Sequence, residues 1–264
     1  MIDYISEPPS QRALKQYFID RNLQSFSADT INCVAYMILT IDNPEEMMNI
    51  ALSHIVDKLS ACRADMGFLT PKDKLYEPTF VHHSQNSRPP DCTNVSYSNQ
   101  DSVFQKTWKQ RTPVVCTNVH DDKIMADSRA TFEAIQSESV LFQRLSLNKK
   151  TVGLTCVDFT NEQHVWSLED VAFMSSFCET FFGPLSGISQ YWHGAKREQI
   201  IKRPSRAELA AITLAAKGMS YKQIAYELGK STRTIENQLR NAREALNAAN
   251  QIELIKKCTF WLGS

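Results

Sequence analysis

The sequence predicts an α+β fold for residues 1–195 and a small all-α domain, of four helices, for the remainder. Helical spacing alternates with short β-branched and aromatic runs up to about residue 160. Residues 204–264, in contrast, contain short amphipathic helical segments and no run typical of a strand. Because the last two strand-like runs are separated by only three residues, we expect a mostly antiparallel sheet with helices packed on it.

Charge is divided unevenly along the chain. The 264 residues carry 29 Lys+Arg and 29 Asp+Glu, so the formal net charge is zero. Residues 196–264, however, hold 13 basic and 6 acidic side chains, whereas residues 1–195 hold 16 and 23. A basic domain attached to an acidic one is typical of proteins in which only the basic part contacts a polyanion. The alternative is a chance division of surface charge.

Cysteine usage and hydropathy indicate a reduced, cytoplasmic protein without a membrane partner. No cysteine belongs to a C-x-x-C pair, so neither a zinc ribbon nor a disulfide framework is predicted. No other metal site is predicted, because His82 and His83 are neighbours in a strand-like run and would point to opposite faces. The N-terminal residues lack the basic flank and apolar core of a secretory signal. The longest apolar run, VAYMILTI at 34–41, is too short to span a bilayer.

The first half of the α+β part begins with helices. Residues 10–26 and 44–62 have helical spacing, and Pro44 suits the first helical position. Strand-like runs follow at 64–70 and 76–83. The polar stretch 84–100 predicts a long loop.

The second half continues with a helix at 101–110 and a strand at 113–119. Strands at 140–147 and 151–159 form a predicted hairpin. Ser167 then begins a long helix, which we expect to be interrupted at Gly183-Pro184. One stripe of this helix repeats at alternating spacings of three and four: Val171, Met174, Cys178, Phe181, Leu185, Ile188 and Trp192. That spacing fits a dimeric heptad seam and a helix covering its own sheet equally well.

The basic stretch 194–204 predicts a linker, so we expect a first domain at 1–195, a linker at 196–203 and a second domain at 204–264. The second domain begins with two capping boxes. Ser205 and Glu208 have the spacing of one, and Ser220 and Gln223 have the spacing of the other. Gly218 and Gly229 follow the first two helices, and Ser231 is placed to cap the third.

The third helix has two distinct faces. Ile235, Leu239, Ala242 and Leu246 fall on one narrow arc, and the opposite arc carries Arg233, Asn237, Arg240, Asn241 and Glu244. Arginine reads guanine and asparagine reads adenine through paired hydrogen bonds in the major groove. Lys222, Thr232 and Thr234 lie at helix beginnings, where phosphate binds well. A merely solvated polar face is the alternative, but two helices joined by a tight turn within a basic domain favour DNA.

These residues resemble the LuxR-type helix-turn-helix domain of bacterial transcription regulators. The resemblance rests on S-x-A-E at 205–208, GMSYKQIA-x-x-LG at 218–229 and STRTIENQL at 231–239, with a fourth helix around 250–254. It implies that Glu236, Asn237 and Arg240 contact bases and phosphates. The DNA-binding residues that we predict are Lys222, Thr232, Arg233, Thr234, Glu236, Asn237, Arg240 and Arg243. The hairpin also resembles region four of sigma factors, but the fourth helix argues against a sigma factor.

The first domain resembles a GAF domain, through residues 103–119, 139–159 and 167–177. The resemblance implies a small-molecule ligand or a role in dimerisation, and it leaves the cofactor unknown. The side chains predicted to line a ligand pocket are Phe68, His82, Cys116, Phe142 and Cys156, by strand position, and Trp108, from the helix at 101–110. Core packing explains each of them equally well.

The combination predicts a homodimeric, non-enzymatic transcription regulator that binds operator DNA under the control of its first domain. One alternative is an acyl-homoserine-lactone receptor, although residues 1–107 contain neither a tryptophan nor the Asp-Pro of that family. A second is a thiol-based redox sensor or enzyme, in which Cys92, expected in an accessible loop, would partner Cys116. A response regulator is disfavoured because the chain begins with helices.

Overall fold

The computed structural model describes residues 9–85, 89–93, 95–160, 162–195, 204–246, 248 and 250–262. The chain divides into two compact units, residues 1–191 and 192–264. The predicted linker, 196–203, and the side chain of Trp192 lie outside the described residues. No helix in the described ranges combines the length and apolarity needed to cross a bilayer.

The first unit begins with helices on one side of its sheet. Helix α1 (Gln11–Leu14) continues into a π-helix, Lys15–Ile19, and is followed by α2 (Ala28–Leu39) and α3 (Pro44–Leu59). Each α-helix begins at a polar residue whose side chain accepts from a backbone amide: Ser10, Ser27 and Asn43. The buried side chains of α3 include Met47, Ile55 and Leu59, and they face the core.

The central sheet is antiparallel and has five strands in the order β3-β1-β7-β6-β5. The bounds are β1 Arg63–Gly67, β3 Phe80–His83, β5 Val114–Cys116, β6 Ser137–Leu147 and β7 Lys150–Thr160. Strands β2 (Leu75–Tyr76) and β4 (Tyr97–Ser98) form a separate two-stranded sheet. The predicted hairpin is present as β6 and β7, whose turn residues Asn148 and Lys149 both have positive φ, 50° and 68°.

The remaining helices of the first unit are α4 (Ser102–Lys109), a 3₁₀ turn at Lys123–Met125, α5 (Arg129–Ala134), α6 (Leu168–Phe177), a π-helix at Cys178–Phe182 and α7 (Gly183–Ala195). Helix α6 begins at Ser167 with a capping box completed by Asp170. The π-helix lies immediately before Gly183-Pro184, where the sequence predicts an interruption.

The heptad-like stripe of the long helix is part of the domain core. Five of its members are completely buried within the single chain: Met174, Cys178, Phe181, Leu185 and Ile188. A side chain already buried in its own domain offers no surface to a second copy. The stripe therefore covers the sheet, and a dimer would have to use other residues.

Four points of the sequence-based interpretation need correction. Residues 34–39 of the apolar run lie in helix α2, which the sequence pattern did not predict. The predicted strand 76–83 is divided between β2 and β3, because Pro78 lacks the amide that a strand ladder requires. The predicted helix 10–26 ends at Ile19, and the predicted loop 84–100 contains the short strand β4.

A buried ion pair links the neighbouring strands β1 and β7. Arg63 on β1 is completely buried, and its guanidinium binds the carboxylate of Asp158 on β7 through two nitrogens, one contact being 3.2 Å. The guanidinium also donates to the Oγ atom of Ser137, at 3.0 Å, and to the carbonyl of Pro90. Because every side of this group has a partner, breaking the pair would leave an uncompensated buried charge.

Candidate DNA-binding site

Four helices form the second unit: α8 (Arg206–Ala216), α9 (Tyr221–Glu227), α10 (Thr232–Ala245) and α11 (Gln251–Leu262). Their buried residues make one apolar cluster, to which α10 contributes Ile235, Leu239 and Ala242. These side chains lie on the arc that helical spacing predicted. Packing of this arc fixes which face of α10 is directed away from the core.

Side-chain caps and glycines set the turn between α9 and α10. Ser220 and Gln223 form a complete capping box at the start of α9, and Ser231 accepts from the amide of Thr234 at the start of α10, at 3.1 Å. Gly229 has φ +61°, a conformation in which other residues are strained. The two helices are therefore joined by only four residues, Leu228 to Ser231, with a defined geometry.

The outer face of α10 carries the predicted base-reading side chains. Arg240 is exposed and Asn237 is half-buried, and an Nη atom of Arg240 donates to Oδ1 of Asn237 at 3.0 Å. The Nε atom of Arg240 lies 3.9 Å from the carboxylate of Glu244. Both hydrogen-bonding groups are thus directed away from the core, and they are close enough to act on neighbouring bases.

The other predicted contact residues surround this pair. Thr232, Arg233, Thr234 and Glu236 are exposed in the first part of α10, and Lys222 is exposed at the start of α9. Arg243 differs from them, because it is half-buried and its Nε atom is buried without a hydrogen-bond partner among the described residues.

Sequence reasoning did not select Tyr226, whose side chain is 89% exposed on α9. The signal was available, since Tyr226 lies outside the Ile224, Ala225 and Leu228 stripe of that helix. An exposed phenol on the first helix of a helix-turn-helix can donate to a phosphate oxygen. A lone aromatic residue in a short helix is, however, more often interpreted as part of the core.

The predicted ligand-binding residues of the first unit do not form one group. Trp108, Cys116, Phe142 and Cys156 belong to a single apolar cluster between the sheet and α4. Phe68 packs edge-on against Phe80. His82 lies outside this cluster, with Nδ1 2.8 Å from Oδ1 of Asn49 on α3, and burial lowers its pKa.

The cluster around Trp108 is filled by aromatic side chains. Phe104 packs against Tyr76, Tyr97, Phe132 and Phe142 with ring centroids 5.5–6.5 Å apart. The indole of Trp108 is held by a hydrogen bond to Oδ1 of Asn99, at 2.8 Å. Two clefts on the described surface include none of the six predicted ligand-binding residues. The ligand-binding role of these six residues therefore stays a prediction. Four of them, Trp108, Cys116, Phe142 and Cys156, lie in the densely packed aromatic cluster.

The expectation that Cys92 is accessible is wrong. Its side chain is completely buried in the same cluster, although residues 89–93 belong to no helix or strand. Burial raises the pKa of the Cys92 thiol, and burial also raises the pKa of Cys116 to about 11. Because the thiolate is the reactive form, neither cysteine has the environment of a redox centre.

A buried carboxyl group lies on β1, two residues from Arg63 of the ion pair. Asp65 on β1 accepts a hydrogen bond from the hydroxyl of Tyr76, and burial raises its pKa from 3.8 to about 7. No sequence motif marks Asp65, because a single aspartate in a strand carries no spacing signal. Its neighbours come from β2 and β7, which only the fold brings together.

Two kinds of known protein are similar to this chain. The family described as bacterial regulatory proteins, luxR family (GerE), matches residues 205–258. The phycocyanobilin-bound GAF domain from a cyanobacterial phytochrome is similar in structure, with 12% identity and a TM-score of 0.50, over 64% of this chain and 98% of that one.

Two further solved structures are similar at lower scores. They are the GAF domain from an Acinetobacter phosphoenolpyruvate-protein phosphotransferase (14% identity, TM-score 0.45, 65% of this chain and 99% of that one) and the blue-light-absorbing form of the Thermosynechococcus elongatus PixJ GAF domain (10%, 0.47, 61% and 92%). No curated protein matches the chain. Residues 205–258 are therefore a DNA-binding helix-turn-helix domain of the luxR family, joined in this chain to an N-terminal domain with the GAF fold.

Proposed function

We propose that this protein regulates transcription by placing α10 in the major groove of operator DNA. The observation that carries the proposal is the pair formed by Arg240 and Asn237 on the outer face of that helix. An arginine and an asparagine one turn apart can contact adjacent base pairs from one helix. The match to a family of regulatory proteins supports a regulatory rather than a structural role for the helix pair.

Phosphate contacts would position the helix. Lys222 and the exposed Thr232 and Thr234 lie at the beginnings of α9 and α10, where free amides and the helix dipole favour anions. Arg233 and Arg243 add positive charge along α10. Glu236 would be repelled by phosphate, so we assign it to a cytosine amino group.

We further propose that the protein binds DNA as a dimer. A single recognition helix reads only a few base pairs, and two-fold half-sites about one helical turn apart multiply the specificity. The core stripe of α6 and α7 is buried within one chain, so the dimer would form through other surfaces. The N-terminal domain would then control the spacing or release of the two DNA-binding domains.

Selection of genomic fragments by the purified full-length protein tests the proposal. We expect fragments that share an inverted repeat, with affinity that falls steeply as salt is raised because phosphate contacts release counterions. Light scattering of the selected complex should give two chains for each repeat. Selection of unrelated fragments with equal affinity would contradict a regulatory function, and one chain on each site would contradict the dimer.

A further inference from the structure

One of the two clefts on the described surface of the N-terminal domain lies apart from the aromatic cluster. It is bordered by the β6–β7 hairpin, the π-helix Lys15–Ile19 and the π-helix Cys178–Phe182, and its volume is about 530 Å³. Small-molecule sites commonly have volumes of roughly 300–1,000 Å³. The cleft therefore has the size of a metabolite site.

The charges around the cleft are mostly positive. Arg21, Arg111, Arg144 and Lys149 line it, against one acidic residue, Glu179. None of these four cations forms an ion pair within the described ranges of the chain. Arg144 is fixed by donating from one Nη atom to the carbonyl of Trp108, at 3.0 Å, which leaves the rest of its guanidinium for another acceptor. Because four cations face a single carboxylate, the cleft should attract an anion.

Gln143 supplies a buried polar group in the lining. It is 1% exposed, and its Nε2 atom donates to the carbonyls of Arg111 and Arg144 at 2.9 and 3.1 Å. Its Oε1 atom has no partner among the described residues. A buried acceptor without a donor is costly, so this oxygen would be satisfied by an O–H or N–H group of a ligand.

The backbone around the cleft is irregular in two ways. Both π-helices found in the described ranges border it, and π-helical turns are frequent at functional sites. Lys149 lines the cleft with φ +68°, where glycine would be unstrained. A non-glycine residue in a strained backbone conformation can indicate a functional side chain. Here the side chain of Lys149 adds a positive charge to the cleft.

We propose that this cleft binds a small phosphate-bearing anion that also carries a hydroxyl or amine donor, of the class of sugar phosphates. The cations would hold the anionic group, and Oε1 of Gln143 would accept from the donor. The site is distinct from α10 and from the six residues predicted to line a pocket. A ligand could therefore bind to the N-terminal domain without displacing the side chains of the aromatic cluster.

Calorimetric titration of the full-length protein, without DNA and at constant ionic strength, tests this site. The probes are glucose 6-phosphate, which has hydroxyl donors, and sulfate, which has none. We expect glucose 6-phosphate to bind more tightly than sulfate. Lys149→Gln should weaken both by roughly threefold or more, because a charge-assisted hydrogen bond is lost.

Lys150→Gln is the matched control, since it removes the same charge from the next residue of the hairpin, which does not line the cleft. It should leave both affinities unchanged, as should Arg240→Ala in the DNA-binding domain. Equal losses in Lys149→Gln and Lys150→Gln would overturn the proposal in favour of non-specific attraction. Absence of binding, or loss of binding in Arg240→Ala, would also overturn it. None of these outcomes depends on whether the protein binds an operator.

Discussion

Arg240 donates a hydrogen bond to Asn237, one turn earlier on α10, over 3.0 Å. The two side chains best suited to read bases are thus paired with each other in the free protein. Exposed polar pairs of this kind contribute about 1 kcal/mol or less. DNA can therefore replace the contact at little cost, and the pair keeps both side chains on the outer face before binding.

Arg240→Ala should weaken binding to the operator by about 1–3 kcal/mol and binding to random DNA much less, because a base contact is lost. The measurement is a competition titration at fixed salt with both DNAs. Lys217→Ala is the control, since it removes a positive charge at the end of α8 rather than from α10. An equal loss on both DNAs would mean that Arg240 contacts only phosphate.

Substitution of Gly229 tests the backbone of the turn between α9 and α10 without changing any side-chain contact. An added Cβ would meet no atom within 4 Å, so the effect of Gly229→Ala comes from the left-handed backbone alone. We expect a loss of about 1–2 kcal/mol in the free energy of unfolding of the C-terminal domain. Gly229→Asn should cost less, because asparagine tolerates this conformation. Chemical denaturation of the full chain measures both, and equal losses would contradict the backbone explanation.

Local signals in the sequence were sufficient for most of the DNA-binding domain. The capping pairs Ser205–Glu208 and Ser220–Gln223 are both formed, because a cap depends only on residues three positions apart. The apolar arc of α10 is likewise a property of one helix. The hydrogen bond between Arg240 and Asn237 was not predicted, although their spacing of three residues permits it.

The N-terminal domain was less predictable because its decisive contacts are long-range. Helix α2 contains the β-branched residues Thr30, Ile31 and Val34, so its apolar run resembled neither a clear helix nor a clear strand. The stripe from Met174 to Ile188 has the same spacing whether it faces a sheet or a second chain. Arg21 and Arg144 line the same cleft although they are far apart in the sequence, and no sequence spacing predicts that they come together.

Thiol labelling distinguishes a ligand-controlled domain from a redox-controlled one. Cys62 is half-buried, whereas the other six cysteines are buried: Cys33, Cys92, Cys116, Cys156, Cys178 and Cys258. We expect an aromatic disulfide reagent to label one thiol rapidly in the native protein and the rest only on unfolding. Cys62→Ser should abolish the rapid phase, and Cys116→Ser should leave both the phase and DNA binding intact. Rapid labelling of Cys92 or Cys116 would restore the redox hypothesis.

Asp65 should make the stability of the N-terminal domain fall as the pH rises. Burial raises the pKa of its carboxyl from 3.8 to about 7, so the folded state retains a proton that the unfolded state has released. The contribution of this group is fully present below about pH 4, declines between about pH 4 and pH 7, and is lost above that range. Asp65→Asn removes the titration but keeps an acceptor for the hydroxyl of Tyr76.

The measurement is the difference in unfolding free energy between the parent protein and Asp65→Asn, from urea denaturation at several pH values. The difference should shift in favour of Asp65→Asn as the pH rises from about 4 to about 7, and then level off. Tyr76→Phe removes a hydrogen bond that lowers the pKa of Asp65, so the upper end of this window should move to higher pH. If the parent and Asp65→Asn curves run parallel through the window, Asp65 is ionised in the folded protein. The Tyr76 hydroxyl and the Arg63 guanidinium would then suffice to hold its charge in the core.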